Sequence, residues 1–150
     1  MTGGPLRWEN VSVALIVTRA DLVPDEITSR LDWEPAVART PGSPSAFRPG
    51  VGCWVGGYDD SFSTDPHRQL DALLARLSRR ATVLAELRAE GCTVQIDIAA
   101  DVANRAEFTL APAELATIAG LGLPLSFTFR SAVPNSEAVL DELFPHLKRT

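Results

Sequence analysis

The sequence predicts a single α+β domain, a two-layer sandwich in which a five-stranded, largely antiparallel sheet carries helices mainly on one face. Three observations support this fold class. Strand-like segments rich in β-branched residues recur along the chain, short helical segments separate them, and one long amphipathic segment can cover the sheet. The length of 150 residues fits one domain.

The amphipathic segment spans residues 66–90. Its apolar residues recur at steps of three and four, as on one face of a helix: Leu70, Leu73, Leu74, Leu77, Ala81, Leu84 and Leu87. Asp65 suits the N-cap, Pro66 the first helical position and Gly91 a left-handed end. An unbroken helix would extend about 37 Å, whereas the radius of gyration of such a chain is about 15 Å. The pattern therefore leaves open a continuous helix or a break near residues 78–80.

Alternating or β-branched runs predict five strands, at residues 11–18, 51–58, 92–98, 107–110 and 125–129. Two further helices are predicted after Pro24 and over residues 112–119, because proline favours the first helical turn. A last short helix is predicted to begin at Asn135 or Ser136, and residues 34–50 are predicted to form a loop. Glycines within the second strand indicate a bulge or the close approach of another group.

Pro24-Asp25-Glu26-Ile27 and Pro112-Ala113-Glu114-Leu115 resemble each other, and each is preceded by a predicted strand. Two origins are open for this internal similarity. It can reflect a duplicated strand–helix unit, or the capping chemistry that two unrelated helices share.

Charge and hydropathy restrict the partners. The net charge of −5 argues against nucleic acid, because binding to phosphates depends on clustered Lys and Arg. The apolar run of residues 13–17 is too short for a membrane span or a secretory signal. The sequence therefore predicts a cytoplasmic protein that binds neither nucleic acid nor membranes, and it leaves the oligomeric state open.

The sequence predicts no metal site and no cofactor. Cys53, His67, Cys92 and His146 are the soft ligands, and no two of them have the short spacing typical of zinc sites. The two thiols are expected to be reduced and buried. No G-x-S-x-G, Walker or G-x-G-x-x-G motif occurs.

Four residues are candidates for a ligand-binding site: Arg48, Trp54, Tyr58 and His67. Arg48 can pair with an anionic group and the two aromatic rings can stack on a ligand. His67, at a helix N-terminus that disfavours its charged form, can act as a base or a hydrogen-bonding group. Structural roles are the alternative: a Trp at a strand centre commonly lies in the core, and a loop Arg is commonly solvated.

Several motifs together resemble a bacterial family known as domain of unknown function 4279. They are Pro24-Asp25-Glu26-Ile27, Gly52-Cys53-Trp54, His67-x-x-Leu70-x-x-Leu73-Leu74, Leu110-x-Pro112-x-Glu114-Leu115 and Leu121-Gly122-Leu123. The resemblance covers roughly residues 11–130 and implies a small α+β fold built from two related halves. It implies no activity, because the family has none established. Where the family usually ends its first helix with Leu-Gly, this chain has Leu31-Asp32.

Two hypotheses for function follow. The favoured one is a non-catalytic binding or interaction module with a protein partner; an immunity-type protein that masks a toxin is one form of it. The rival is a small-molecule binder or small enzyme that uses Arg48, Trp54, Tyr58 and His67. The lack of a recognisable catalytic motif favours the first hypothesis.

Overall fold

The computed structural model describes residues 8–42, 50–58, 65–102 and 107–131. These residues form five strands and four helices, namely β1 (Trp8–Arg19), α1 (Pro24–Leu31), β2 (Val37–Arg39), β3 (Gly52–Tyr58), α2 (Pro66–Ser78), α3 (Ala81–Ala89), β4 (Thr93–Val102), α4 (Pro112–Leu121) and β5 (Leu125–Ser131). The strands form one sheet in the order β2-β3-β1-β4-β5. Neighbouring strands are antiparallel, except that β4 and β5 run parallel.

The hydrophobic core lies between the sheet and the helices. Strands β1 and β4 contribute alternate residues to it, and the leucines of α2 and α3 cover them: Val13, Leu15, Val17, Val94, Ile96, Ile98, Leu70, Leu73, Leu77, Leu84 and Leu87 are all at most 2% exposed. The predicted α+β fold with a largely antiparallel, five-stranded sheet is therefore confirmed, and β4 and β5 form its one parallel pair among the described strands. Among the described residues, no helix has the length and apolar character needed to cross a membrane.

The amphipathic segment forms two helices that are separated by Arg79 and Arg80. Arg80 stabilises the break, since its Nε donates to the carbonyl oxygen of Leu31 at 2.6 Å. The apolar face continues through both helices, so each follows the sheet over its own length. Asp65 is the N-cap of α2 and accepts from the backbone N–H of His67 at 2.9 Å, and Pro66 occupies the first turn, as predicted.

Two sequence predictions about the sheet are wrong. Residues 107–110 form no strand, and β2, which pairs with β3, lies within the predicted loop 34–50. Phe108 and Leu110 alternate with polar residues, but both pack partly buried against the core. Helix α4 connects β4 to β5, and such a crossover brings the chain back in the same direction. The predicted helix at residues 135–144 lies outside the described residues.

The glycines of β3 make room for neighbouring groups, as the sequence indicated. A Cβ atom on Gly56 would lie 2.5 Å from the indole of Trp54, and one on Gly52 would lie 2.8 Å from the carbonyl oxygen of Leu22. Gly56 therefore lets the Trp54 ring fold over its own strand.

The two segments with similar sequences begin and end alike. Helices α1 and α4 each have proline in the first turn, and each ends at a left-handed residue, Asp32 (φ 50°) or Gly122 (φ 68°). The strands that follow them are placed differently: β5, which follows α4, pairs in parallel with β4, whereas β2, which follows α1, pairs with β3 and not with β1. Duplication of a strand–helix unit stays a prediction.

Candidate functional site

Trp54, one of the predicted site residues, lies in the core. Its side chain is fully buried, and its Nε1–H donates to Oγ1 of Thr28 on α1 at 3.0 Å. Its ring meets that of Trp33 edge-on at 5.5 Å, and the guanidinium of Arg76 lies 4.1 Å from the centre of the Trp33 ring. These contacts connect β3, α1 and α2, so Trp54 has the structural role that the sequence left open.

The other three predicted site residues are placed differently. Arg48 lies outside the described residues, and only the backbone of Tyr58 is described, paired with Val13 at the end of β3. The His67 side chain is 44% exposed and contacts Glu114 and Phe108. No described contact joins His67 to Trp54. A ligand site that combines all four residues stays a prediction.

His67 lies beside an open groove between α2 and α4. The groove has a volume of about 270 Å³ and is lined by Asp71, Leu74, Ala75 and Ser78 from α2 and by Ala113, Glu114 and Thr117 from α4. Both helices begin with proline in the first turn. His67 and Asp71 are four residues apart, which places them on the same side of α2.

Glu114 is the most unusual residue of this groove, because its charged side chain is only 10% exposed. Its Oε1 accepts from the backbone N–H of Ala111 at 2.9 Å and lies 3.5 Å from Nδ1 of His67. The bond to Ala111 is one half of a capping box, whose other half an alanine side chain cannot provide. Its Oε2 is buried and has no hydrogen-bond partner.

Asp71 forms the second carboxyl group of the groove. Although Asp71 is exposed, partial desolvation and the negative charge of Glu114 raise the pKa of its carboxyl group, and His67 opposes this rise. Two carboxyl groups can form a hydrogen bond only when one of them holds a proton. The pair is therefore arranged either to share a proton or to accept donors from elsewhere.

The hydroxyl groups of the groove also present acceptors. Ser78 donates its hydroxyl proton to the carbonyl oxygen of Leu74 at 2.8 Å, and Thr117 donates to that of Ala113 at 3.0 Å. Each bond uses the donor within the helix that carries it and leaves the oxygen lone pairs available. Carboxylates and hydroxyl oxygens together make the lining rich in acceptors.

Aromatic rings lead from His67 toward β5. His67 stacks on Phe108 with ring centres 4.7 Å apart, Phe108 meets Phe127 at 6.3 Å, and Phe127 meets Phe129 at 5.7 Å. Phe127 is 45% exposed and Phe129 is 48% exposed. We call these four residues the aromatic row. They connect the groove with the last strand of the described sheet.

The two cysteines are free thiols; Cys92 is buried and Cys53 is half-buried. Burial raises the pKa of both, and the neighbouring Arg39 and Arg19 oppose this at Cys53 and Cys92 respectively. Among the described residues, no three His, Cys, Asp or Glu side chains are grouped in a way that could hold a metal ion.

Sequence reasoning identified His67 but missed Asp71 and Glu114. Two signals were available. Asp71 follows His67 by one helical turn, and Glu114 follows Pro112 at the position where a glutamate caps its own helix. That the two carboxyls meet depends on the packing of α2 against α4.

Comparison with known protein families identifies a match over most of the chain. The model of a family described as "Domain of unknown function (DUF4279)" matches residues 9–131. No curated protein and no solved structure matches the chain.

Proposed function

The chain belongs to the DUF4279 family, and we propose that it is a non-catalytic binding module that accepts a cationic group in the groove between α2 and α4. The family description names no activity, so the geometry of the groove supports the proposal. The observation that carries it is the buried carboxylate of Glu114, whose Oε2 has no hydrogen-bond partner.

The chemistry of the lining indicates a ligand rich in donors. An acceptor that is buried without a partner costs about 1–3 kcal/mol, and more when it is charged. A donor supplied by a ligand would recover this energy. Guanidinium and ammonium groups carry only donors, and they suit a lining in which Asp71, Glu114, Ser78 and Thr117 all present acceptors.

The size of the groove indicates a single side chain of a partner protein. Small-molecule pockets usually enclose about 300–1,000 Å³, whereas this open groove measures about 270 Å³. Leu74, Ala75 and Ala113 can contact the methylene stem of a Lys or Arg while the carboxylates bind its charged end. The net charge of −5 attracts a basic partner at long range.

An immunity-type role is one form of this proposal, in which the bound basic residue belongs to a toxin. The rival hypothesis is a small-molecule binder or enzyme, and the contact between His67 and Glu114 favours it, since a histidine paired with a carboxylate is a common acid–base arrangement. Under the rival hypothesis, His67→Ala abolishes ligand binding. A cationic ligand that binds this variant as well as it binds the wild type removes the rival.

The proposal is tested by NMR titration with n-butylguanidinium and n-butylammonium, with neutral butyramide as the control ligand. We expect weak, about millimolar, binding of the cations and shifts centred on residues 71–78 and 113–117. Glu114→Gln should abolish these shifts, whereas Glu34→Gln, at an exposed residue outside the groove, should leave them unchanged. Equal shifts with butyramide, or unchanged binding by Glu114→Gln, would refute the proposal.

A further inference from the structure

The aromatic row extends the groove into a longer surface. Nδ1 of His67 lies 3.5 Å from Oε1 of Glu114, and the imidazole ring stacks on the ring of Phe108. Phe127 and Phe129 continue the row along β5, each with nearly half of its side chain exposed. Acidic and apolar recognition features are therefore adjacent, joined through His67.

The spacing along the row matches an extended peptide. The centres of Phe108 and Phe127 are 6.3 Å apart, and those of Phe127 and Phe129 are 5.7 Å apart. Side chains on one side of an extended chain repeat every second residue, at about 6.6–6.8 Å. One apolar side chain of such a peptide can contact each ring in turn.

The acidic end defines the partner further. A peptide whose apolar side chains follow the row reaches the groove at the His67 end, where Asp71 and Glu114 present their carboxyl oxygens. A basic residue is the complement of this end, and large apolar residues are the complement of the exposed rings. A simple amine can bind only at the acidic end, because it has no apolar side chains that could contact the rings along β5.

On the basis of the function proposed above, we infer that the ligand is an extended segment of a partner protein, in which a basic residue occupies the groove and alternate apolar residues lie along the aromatic row. The groove supplies charge recognition, and Phe108, Phe127 and Phe129 supply apolar contact area. Because Phe127 and Phe129 do not line the groove, substituting them leaves its carboxyl groups in place.

The test uses synthetic heptapeptides in which an arginine is followed, or preceded, by leucines at every second position with serines between them. Two comparison peptides replace the arginine by citrulline or the leucines by serine. Affinities are measured by calorimetry for the wild type, Phe127→Ser, Phe129→Ser and Val37→Ser. Val37 is the control residue, because it is an apolar residue of similar exposure (39%) and lies on β2, at the opposite edge of the sheet from β5.

We expect the leucine-containing peptide to bind at least tenfold more tightly than n-butylguanidinium. Phe127→Ser and Phe129→Ser should each remove most of this gain without changing the binding of n-butylguanidinium, and Val37→Ser should change neither affinity. The citrulline peptide should bind at least tenfold more weakly than its arginine counterpart.

Other outcomes separate the two proposals. If n-butylguanidinium binds but the leucines add nothing, or if the Phe variants behave as Val37→Ser does, the inference is wrong and the groove proposal stands. If n-butylguanidinium fails to bind, the function proposed above is refuted. Concentration-dependent dimerisation that Phe127→Ser abolishes would assign the row to a second copy of this chain and overturn the inference.

Discussion

Replacing Glu114 by glutamine is expected to stabilise the protein while it abolishes binding of a cation. The amide oxygen can keep the bond to the backbone N–H of Ala111, which Oε1 accepts at 2.9 Å. The amide nitrogen then takes the position of the unpartnered Oε2 and adds a donor to a lining that is rich in acceptors and includes Asp71. The substitution thus converts a pair of acceptors into a donor and an acceptor.

The size of the effect follows from two contributions. Relief of a buried acceptor without a partner is worth about 1–3 kcal/mol, and the exposure of Asp71 places the gain near the lower end of this range. The lost contact with His67, which is 44% exposed, costs less than about 1 kcal/mol. We therefore expect a net gain of about 1 kcal/mol, or about 2–4 °C in Tm.

The gain is also expected to depend on pH. The pKa of Asp71 is raised in the folded protein, so the folded state binds more protons than the unfolded state between the ordinary and the raised value. Over that range the stability of the wild type falls as the pH rises. Glu114→Gln removes the neighbouring charge, so its advantage should be small in acid and should grow toward neutral pH.

Thermal and urea unfolding of the wild type, Glu114→Gln and Glu34→Gln, measured from about pH 4 to pH 8, test this reasoning. Glu34 is exposed and controls for the loss of one negative charge. A lower stability of Glu114→Gln at neutral pH, or an advantage that shrinks as the pH rises, would show that Glu114 has its donors within the chain.

Three further predictions concern the fold and are checked by urea unfolding. Gly56→Ala should destabilise the protein by about 1–3 kcal/mol, because its Cβ would overlap the buried Trp54 ring. Gly120→Ala, in open space on α4, should instead stabilise it by about 0.5–1 kcal/mol. Equal effects of the two substitutions would contradict the packing described. Asp32→Gly should stabilise by about 0.5–1 kcal/mol, since this residue has a φ of 50°; no gain would show that Asp32 adopts this conformation without cost. Gln69→Leu should cost about 2–4 kcal/mol, because the buried Gln69 accepts from Val13 and donates to Val11 on β1; a cost below 1 kcal/mol would refute this bridging role.

Periodicity predicted most of the fold. The strands at residues 11–18, 51–58, 92–98 and 125–129 and the helices after Pro24, Pro66 and Pro112 all occur, because each buries one face and so carries a period of two or 3.6 residues. Periodicity gave wrong predictions where the length of a segment or its packing decided the secondary structure. Strand β2 is only three residues long, and Phe108 reaches the core from an irregular segment.

The candidate site was predicted less completely. His67 could be predicted from the sequence, because a helix N-terminus disfavours the charged form of a histidine and so suits it to act as a base or hydrogen-bonding group. Glu114 is one of 19 acidic residues, and its local pattern indicates only a cap. Its burial, and its pairing with Asp71, arise from the way α2 and α4 meet, which no local pattern of one sequence encodes.

The dual role of Glu114 gives the groove its specificity. The bond from the N–H of Ala111 to Oε1 fixes the carboxylate at the start of α4 before any ligand arrives, and it leaves Oε2 as the oxygen without a hydrogen-bond partner. A group that is already held in place loses little conformational entropy on binding. The helix cap and the recognition of a cation therefore use the same side chain. A substitution that stabilises the protein at this residue is expected to remove its function, because unsatisfied groups at binding sites commonly lower stability in exchange for binding.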